Sequence, residues 1–382
     1  MTKQFSNRKA VNLAILCFCS LFAVAALGQE QSVEVDPATG GTYTTFSITG
    51  AGTKSGQGTV AYASDPAGDI AGAYFDSSSV AHGFLRTVSG TITTFNVSGA
   101  GTNANQGTQA LAINSKQSIA GAYRDSDSVS HGFVRTSSGT ITTFSVSGAG
   151  TSSGQGTVAT AIDTAGTIGG YYLDSSNVYH GFSRSSTGAI TTFNCTGSGT
   201  VAESGTDVSA INTAGTIAGF YVDNENVGHA YTRSSSGTIT EFNVTGAGTG
   251  SGEGTSAQGI NTSGEIVGYY KDSNLAYHGF TRTSSGTVTE FTISGSGTTA
   301  DLGTLPYTLN TAGTVAGTYR DSSNVSHGFY RTSSGTVTEL NAPGAGTGGN
   351  EGTEAHNITT SGDVSGWYAD SNKAFHGFNY TP

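Results

Sequence analysis

Cysteine is nearly absent: there are three in 382 residues. Two of them, Cys17 and Cys19, fall in an amino-terminal apolar run that reads as a secretory signal. Its removal leaves Cys195 alone, so no intramolecular disulfide can form and stability must come from packing. Charge is also thin, with Asp, Glu, Lys and Arg at 11% of the chain and 15 basic residues against 26 acidic. Without Lys3, Arg8 and Lys9 the net charge is −14, which argues against nucleic acid and anionic lipid as partners and leaves cationic or neutral ligands. Helical periodicity is missing throughout. Gly, Ser and Thr fill the surface positions, as in extracellular β-rich proteins, and disorder is excluded by the regular return of Tyr, Phe and Ile.

The signal reading rests on Lys3, Arg8 and Lys9 ahead of an apolar run from Ala10 to Ala26, with Ala26 and Gly28 suiting cleavage before Gln29. The run is short for a membrane span and meets the polar Gln29 to Ser32. No cysteine follows the cleavage point, so no lipid anchor is expected. The mature chain is expected to be soluble, without a membrane partner, passing through the periplasm to the exterior.

What the chain has is repetition. His82, His131, His180, His229, His278, His327 and His376 stand 49 residues apart, each inside a longer echo such as Gly72, Tyr74, Asp76, His82, Gly83, Phe84 and Arg86. Residues 40–382 number 343, seven times 49, so no partial copy remains. The last copy ends after Phe378, Asn379 and Tyr380, without the strand that follows the other six, as at Gly90 to Phe95. Its replacement lies one period ahead, at Gly41, Thr42, Tyr43, Thr44, Thr45 and Phe46. Sharing one copy between the two ends latches a ring and hides sheet edges, which an open solenoid does not need.

Within a copy, the second serves as example. Strands are expected over Thr108–Ile113, Ser118–Arg124, Val129–Thr136 and Thr140–Val146. Alternation places Gly121, Tyr123, Asp125, His131, Phe133 and Arg135 on one face of a hairpin, with Tyr123 opposite Phe133 and Asp125 opposite His131. The aromatics are expected to pack on the neighbouring blade, and Ala110, Ala112 and Ala120 suit the inner strands. Four strands in each of seven copies predict an all-β, seven-bladed β-propeller, with a β-solenoid or a ring of six or eight blades as alternatives. The domain reading is a signal over 1–28, a short linker over 29–39 and one propeller over 40–382.

His131-Gly132-Phe133 and its copies, with Gly121, Tyr123 and Asp125 before and Thr142, Thr143 and Phe144 after, resemble the repeats of the extracellular HAF family. Six copies carry Gly where the family name has Ala; the Ala copy is His229-Ala230-Tyr231. The resemblance implies a secreted bacterial propeller and assigns no chemistry.

Seven Asp and His pairs recur: Asp76 with His82, Asp125 with His131, Asp174 with His180, Asp223 with His229, Asp272 with His278, Asp321 with His327 and Asp370 with His376. A catalytic pair would occur once, beside a nucleophile. Recurrence in every copy reads as a structural hydrogen bond, similar in logic to the buried Asp and His network of WD-type propellers. Ligands must lie within about 2 Å of zinc, and equivalent positions in different blades are too far apart for one metal. Arg86, Arg135, Arg184, Arg233, Arg282 and Arg331 read likewise as fixtures, with Tyr380 in the seventh place.

Other motif matches dissolve. Gly150 to Gly154 fits a nucleophile elbow and Gly344 to Gly349 a dinucleotide fingerprint, but neither has the required helix, and 58 glycines make chance matches. Asp125 to Ser128 and Asp223 to Asn226 lack calcium-loop spacing and read as Asx turns. No catalytic residue, cofactor or metal is expected.

If recurrence marks the scaffold, variation marks where a ligand is read. The turn between second and third strands varies, as in Ser175 to Tyr179 against Asn224 to Gly228. So does the blade-to-blade loop, as in Val201 to Ser204 against Gly250 to Glu253; alternating strands put both on one face. Tyr179, Tyr277 and Phe375 share one position in alternate blades. Gln109, Asp207 and Glu354 begin inner strands near the channel mouth, and His356 is the histidine outside the register. The first expectation is a non-enzymatic, monomeric module binding carbohydrate or protein through these seven residues. The second is a hydrolase or lyase using Asp207, Glu354 and His356; the third is a structural surface or matrix component.

Overall fold

Glycine and Asx turns cut the chain into short strands that pair with their sequence neighbours. The computed structural model of the protein describes residues 29–382; the expected signal over 1–28, with Cys17 and Cys19, lies outside them. Among the described residues there are 29 strands and no helix. Two strands come first, β1 (Gln29–Val35) and β2 (Thr42–Ile48). The first copy supplies β3 (Gly58–Ser64), β4 (Ile70–Phe75), β5 (Ala81–Arg86) and β6 (Ile92–Phe95). The second supplies β7 (Gly107–Ile113), β8 (Ile119–Arg124), β9 (Ser130–Arg135) and β10 (Ile141–Phe144). The same four return in the third to sixth copies and the first three in the seventh, antiparallel within each copy.

Consecutive copies join edgewise: the third strand of one makes a single parallel bridge to the first strand of the next, as Ser130 does with Gly156. The last bridge, Phe375 to Gly58, returns to the start and closes a propeller-like ring. The closing strand comes from the expected place. Thr42, Tyr43, Thr44, Thr45 and Phe46 pair antiparallel with Thr381, Tyr380, Asn379, Phe378 and Gly377. Phe46 then faces Gly377 as Phe95 faces Gly83 in the first copy, so β2 is the fourth strand of the seventh unit.

Two expectations are corrected. The reading of 29–39 as a linker fails, because Gln29–Val35 forms β1 and pairs along β2 from Gln29↔Ile48 to Val35↔Thr42. The expected register fails as well. Tyr123 faces His131, not Phe133, and Gly121 faces Phe133. Asp125 stands outside the strand, at the first corner of a turn in which Ser128 N–H donates to Asp125 O and Asp125 N–H to Val129 O. Turn length sets the register here: Ser128 takes a left-handed φ of 61° to close the turn. The space over Gly121 is then taken by the Phe133 ring.

The core lies between neighbouring units rather than inside one. Phe133 and Ile119 of the second unit are fully buried against Ala71, Leu85, Val97 and Phe95 of the first. Phe95 is clasped from two sides, edge-on by Phe133 at 6.0 Å and from above by the Arg135 guanidinium at 5.0 Å. Equivalent Arg-on-Phe contacts join Arg86 to Phe46 and Arg331 to Phe291. Where Tyr380 replaces the arginine, Leu340 replaces the phenylalanine, and both are buried in one cluster. The two departures match: an apolar pair stands where a cation–π pair would.

Candidate functional site

Each of the seven Asp and His pairs is brought into contact within its own unit. Each Asp Oδ2 lies 3.0–3.6 Å from the partner His Nε2. In the third unit, Asp174 Oδ1 accepts from Ser176 N–H and Val178 N–H at 2.8 and 3.0 Å, and His180 stacks on Tyr172 at 4.8 Å. These are not the buried network expected, since the paired side chains are 20–29% exposed. The Asp corner position beside solvent explains the difference. Cys195 is buried, and burial pushes its thiol up to about 12, which leaves it inert as a nucleophile.

The two faces of the ring differ as the sequence implied. On one, the monotonous turns interlock: Asn212 Nδ2 donates to Asn261 O, Asn261 to Asn310 O and Asn310 to Thr359 O. A cavity of about 200 Å³ at that end is lined by these same turns and by Ile113, Ile162, Ile211 and Ile260, so it belongs to the scaffold. On the other face, the turn between second and third strands meets the loop to the next unit. Gly154 N–H donates to Ser128 O, and Glu203 N–H to Asn177 O. The two variable segments therefore share one surface.

That surface holds the seven candidate residues in separate groups. Tyr179 meets Tyr171 at 5.2 Å, Tyr277 meets Tyr269 edge-on at 5.1 Å, and Phe375 meets Trp367 at 4.8 Å and 69°. All six rings are partly exposed. Lys271 Nζ sits 4.7 Å from the Tyr277 ring centre and binds Asp301 at 2.8 Å. Gln109 lines another hollow, with Tyr62, Arg124 and Tyr171.

The acids are held differently. Burial raises the Asp207 carboxyl to about 7, partly offset by a backbone hydrogen bond from Val208. Glu354 is buried and satisfied: Ser326 Oγ donates to Oε1 at 2.8 Å and Tyr307 OH to Oε2 at 3.4 Å. His356 stacks flat on Tyr307 at 4.5 Å, and its Nε2 lies 3.8 Å from Glu354 Oε2, buried and without a hydrogen bond. Burial lowers the His356 pKa and the nearby Glu354 charge opposes it, so the ring is neutral at pH 7.

The structure thus gathers Glu354, His356 and Phe375 in the seventh unit, through Tyr307 and Trp367. Asp207 belongs to the fourth unit, and no hydrogen bond or ion pair joins it to Glu354 among the described residues. Nor does any group of three His, Cys, Asp or Glu there stand close enough to hold a metal ion. Sequence reasoning missed Tyr62, Tyr171, Tyr269, Tyr307 and Trp367. Aligning the copies in register would have found them: one second-strand position reads Ala73, Ala122, Tyr171, Phe220, Tyr269, Thr318 and Trp367, and one first-strand position reads Tyr62, Leu111, Thr160, Ser209, Gln258, Tyr307 and His356.

No family model and no curated protein matches the chain. Among solved structures, the lectin BP39L from Burkholderia pseudomallei superposes with a TM-score of 0.54 at 9% identity, over 87% of this chain and 96% of that one. AofleA from Arthrobotrys oligospora gives 0.47 at 11%, over 82% and 90%. Aleuria aurantia lectin, as a variant in complex with alpha-methyl-L-fucoside, gives 0.38 at 14%, over 71% and 93%. At these identities the likeness is one of fold, and it rests on the first.

Proposed function

We propose that the chain is a secreted, seven-bladed β-propeller of the HAF-repeat kind that binds carbohydrate at the cell exterior, on the face carrying the blade-to-blade loops. One observation carries the reading. Partly exposed aromatic pairs, Tyr171 with Tyr179, Tyr269 with Tyr277 and Trp367 with Phe375, stand at one register in the third, fifth and seventh units. A sugar presents an apolar C–H face and a rim of hydroxyls. Aromatic rings take the first, and the Gln109 amide, the Tyr hydroxyls and Asp207 suit the second. The similarity in fold to a lectin supports this reading.

The test is a glycan array probed with the purified protein, followed by calorimetry on whichever glycan binds. Trp367→Ala and Tyr277→Ala are expected to weaken binding about tenfold each, since an aromatic contact contributes about 0.5–1.5 kcal/mol beyond its area. An empty array together with an empty pull-down from cell envelopes would sink the proposal.

A further inference from the structure

Arginine use in this chain is unusually strict. Among the described residues six arginines are the Phe-stacked fixtures, Arg86, Arg135, Arg184, Arg233, Arg282 and Arg331. Two remain, Arg124 and Arg320, and both occupy the last position of a second strand. Each makes one weak bond to the carbonyl of the loop below it, Arg124 Nη1 to Asn105 O at 3.3 Å and Arg320 Nη1 to Asp301 O at 3.5 Å. Neither has a carboxylate partner among the described residues, in a chain with 26 acids to offer one. Asp321, next in the chain, faces His327, and Asp301, whose carbonyl takes the Arg320 bond, gives its carboxylate to Lys271 at 2.8 Å.

Arg124 also stands in a prepared place. It lines a cavity of about 240 Å³ on the loop face, together with Tyr62 of the first unit, Gln109 and Ser130 of its own, and Val158 and Tyr171 of the third. Such a volume lies below the ~300–1,000 Å³ of pockets for drug-sized ligands and suits a single sugar residue. Burial pushes the Tyr62 phenol up to about 12 and raises that of Tyr171, with the Arg124 charge opposing both, so the two hydroxyls remain neutral donors beside the cation. The Arg320 charge likewise opposes the upward shifts of two buried phenols, Tyr269 of the fifth unit and Tyr307 of its own, while Gln258 and Trp367 stand where Tyr62 and Tyr171 stand for Arg124.

Resting on the carbohydrate reading, we infer that the loop face is selective for acidic sugars: the Arg124 cavity takes a uronate residue, its carboxylate on the guanidinium fork and its ring against the Tyr62 and Tyr171 rings. A planar carboxylate meets two parallel N–H donors of arginine, which a neutral hydroxymethyl group cannot do. Gln109 and Ser130 offer the remaining polar contacts. The net negative charge of the chain does not forbid this, because exposed charges beyond about 8 Å are screened at physiological salt, and the guanidinium acts in contact. Arg320 ends the corresponding strand four units on, beside Tyr269 and Tyr307, and offers a second guanidinium for a uronate carboxylate.

Calorimetry with trigalacturonate, its methyl ester and the neutral galactotriose tests this. The acid is expected to bind, the ester at least tenfold more weakly, and Arg124→Gln to lower affinity for the acid by tenfold or more, with a further loss on adding Arg320→Gln. Arg124 is exposed and Arg320 half-buried, so the melting temperature of Arg124→Gln should match the parent, and the same measurement on the double variant separates a folding defect from lost binding. Equal binding of acid and ester, or undiminished binding of the acid by the double variant, overturns the inference. A neutral trimer bound as well as the acid overturns it too, while leaving the broader carbohydrate reading intact. Failure of all three probes defeats the uronate assignment, and the glycan array then decides the broader one.

Discussion

Asp174 divides its work between two oxygens. Oδ1 accepts the two N–H groups that close the turn, and Oδ2 meets His180 Nε2 at 3.2 Å, while His180 Nδ1 reaches Asn194 Oδ1 at 3.0 Å. Burial alone would raise the carboxyl pKa; hydrogen bonds from Val178, His180 and Ser176 outweigh it and hold the group below the ordinary aspartate value. A folded-state pKa below the unfolded one adds stability above the unfolded value near 4, and that stability is lost as pH falls through the folded value. Asp76, Asp125, Asp223, Asp272, Asp321 and Asp370 are lowered in the same direction. Calorimetric melting temperature should therefore fall steeply below about pH 4 on account of these seven, while Asp207, raised to about 7 by burial, adds the opposite slope between about 4 and 7. Asp174→Ala should cost about 1–2 kcal/mol at pH 7 and less at pH 3; an unchanged melting temperature at pH 7 would refute the structural role. The contact between Asp and His was legible, because both recur together. The corner position of Asp was not, since alternation alone cannot count the residues of a turn.

At the scale of the strand, the junction between units depends on one glycine. Gly156 takes φ of +111°, and a Cβ there would stand 2.1 Å from Ser130 O, the backbone it bridges. Gly58, Gly107, Gly205, Gly254, Gly303 and Gly352 repeat the conformation at the other six junctions. Gly156→Ala combines a disfavoured conformation with a clash against backbone that cannot yield. A loss of more than about 2 kcal/mol is expected by denaturant titration, and a variant as stable as the parent would show that the junction is looser than its bridge geometry. The strands were legible to within one or two residues because glycines and period-2 alternation bound them. β1 was not: it stands outside the 49-residue period, and a strand read by recurrence needs a second copy. The ligand-reading positions were half legible. Tyr179, Tyr277 and Phe375 stood out by their alternate spacing, whereas their partners Tyr171, Tyr269 and Trp367 lie in a column that also admits Ala and Thr.

At the scale of the molecule, the ring depends on its closure. β2 buries Tyr43 and Phe46 and covers Phe378 and Tyr380, all nearly inaccessible. Removing residues 29–48 would expose these rings and leave the seventh unit without its outer strand. Small-angle scattering should then show a larger radius or self-association, and a monomer of parental dimensions would mean that closure does not need the amino-terminal strand. Repeat count and the missing strand made this arrangement legible, because 343 residues leave no remainder.

β1 gives the closure a further property. It runs beside β2 with Gln29 near Ile48, while β2 begins beside Thr381 at the other end. Tension entering at Gln29 and leaving at Thr381 is thus directed along the strands, so the rungs on both sides of β2 bear the load in shear, together. Had the chain begun at β2, the same tension would have peeled the seam one rung at a time.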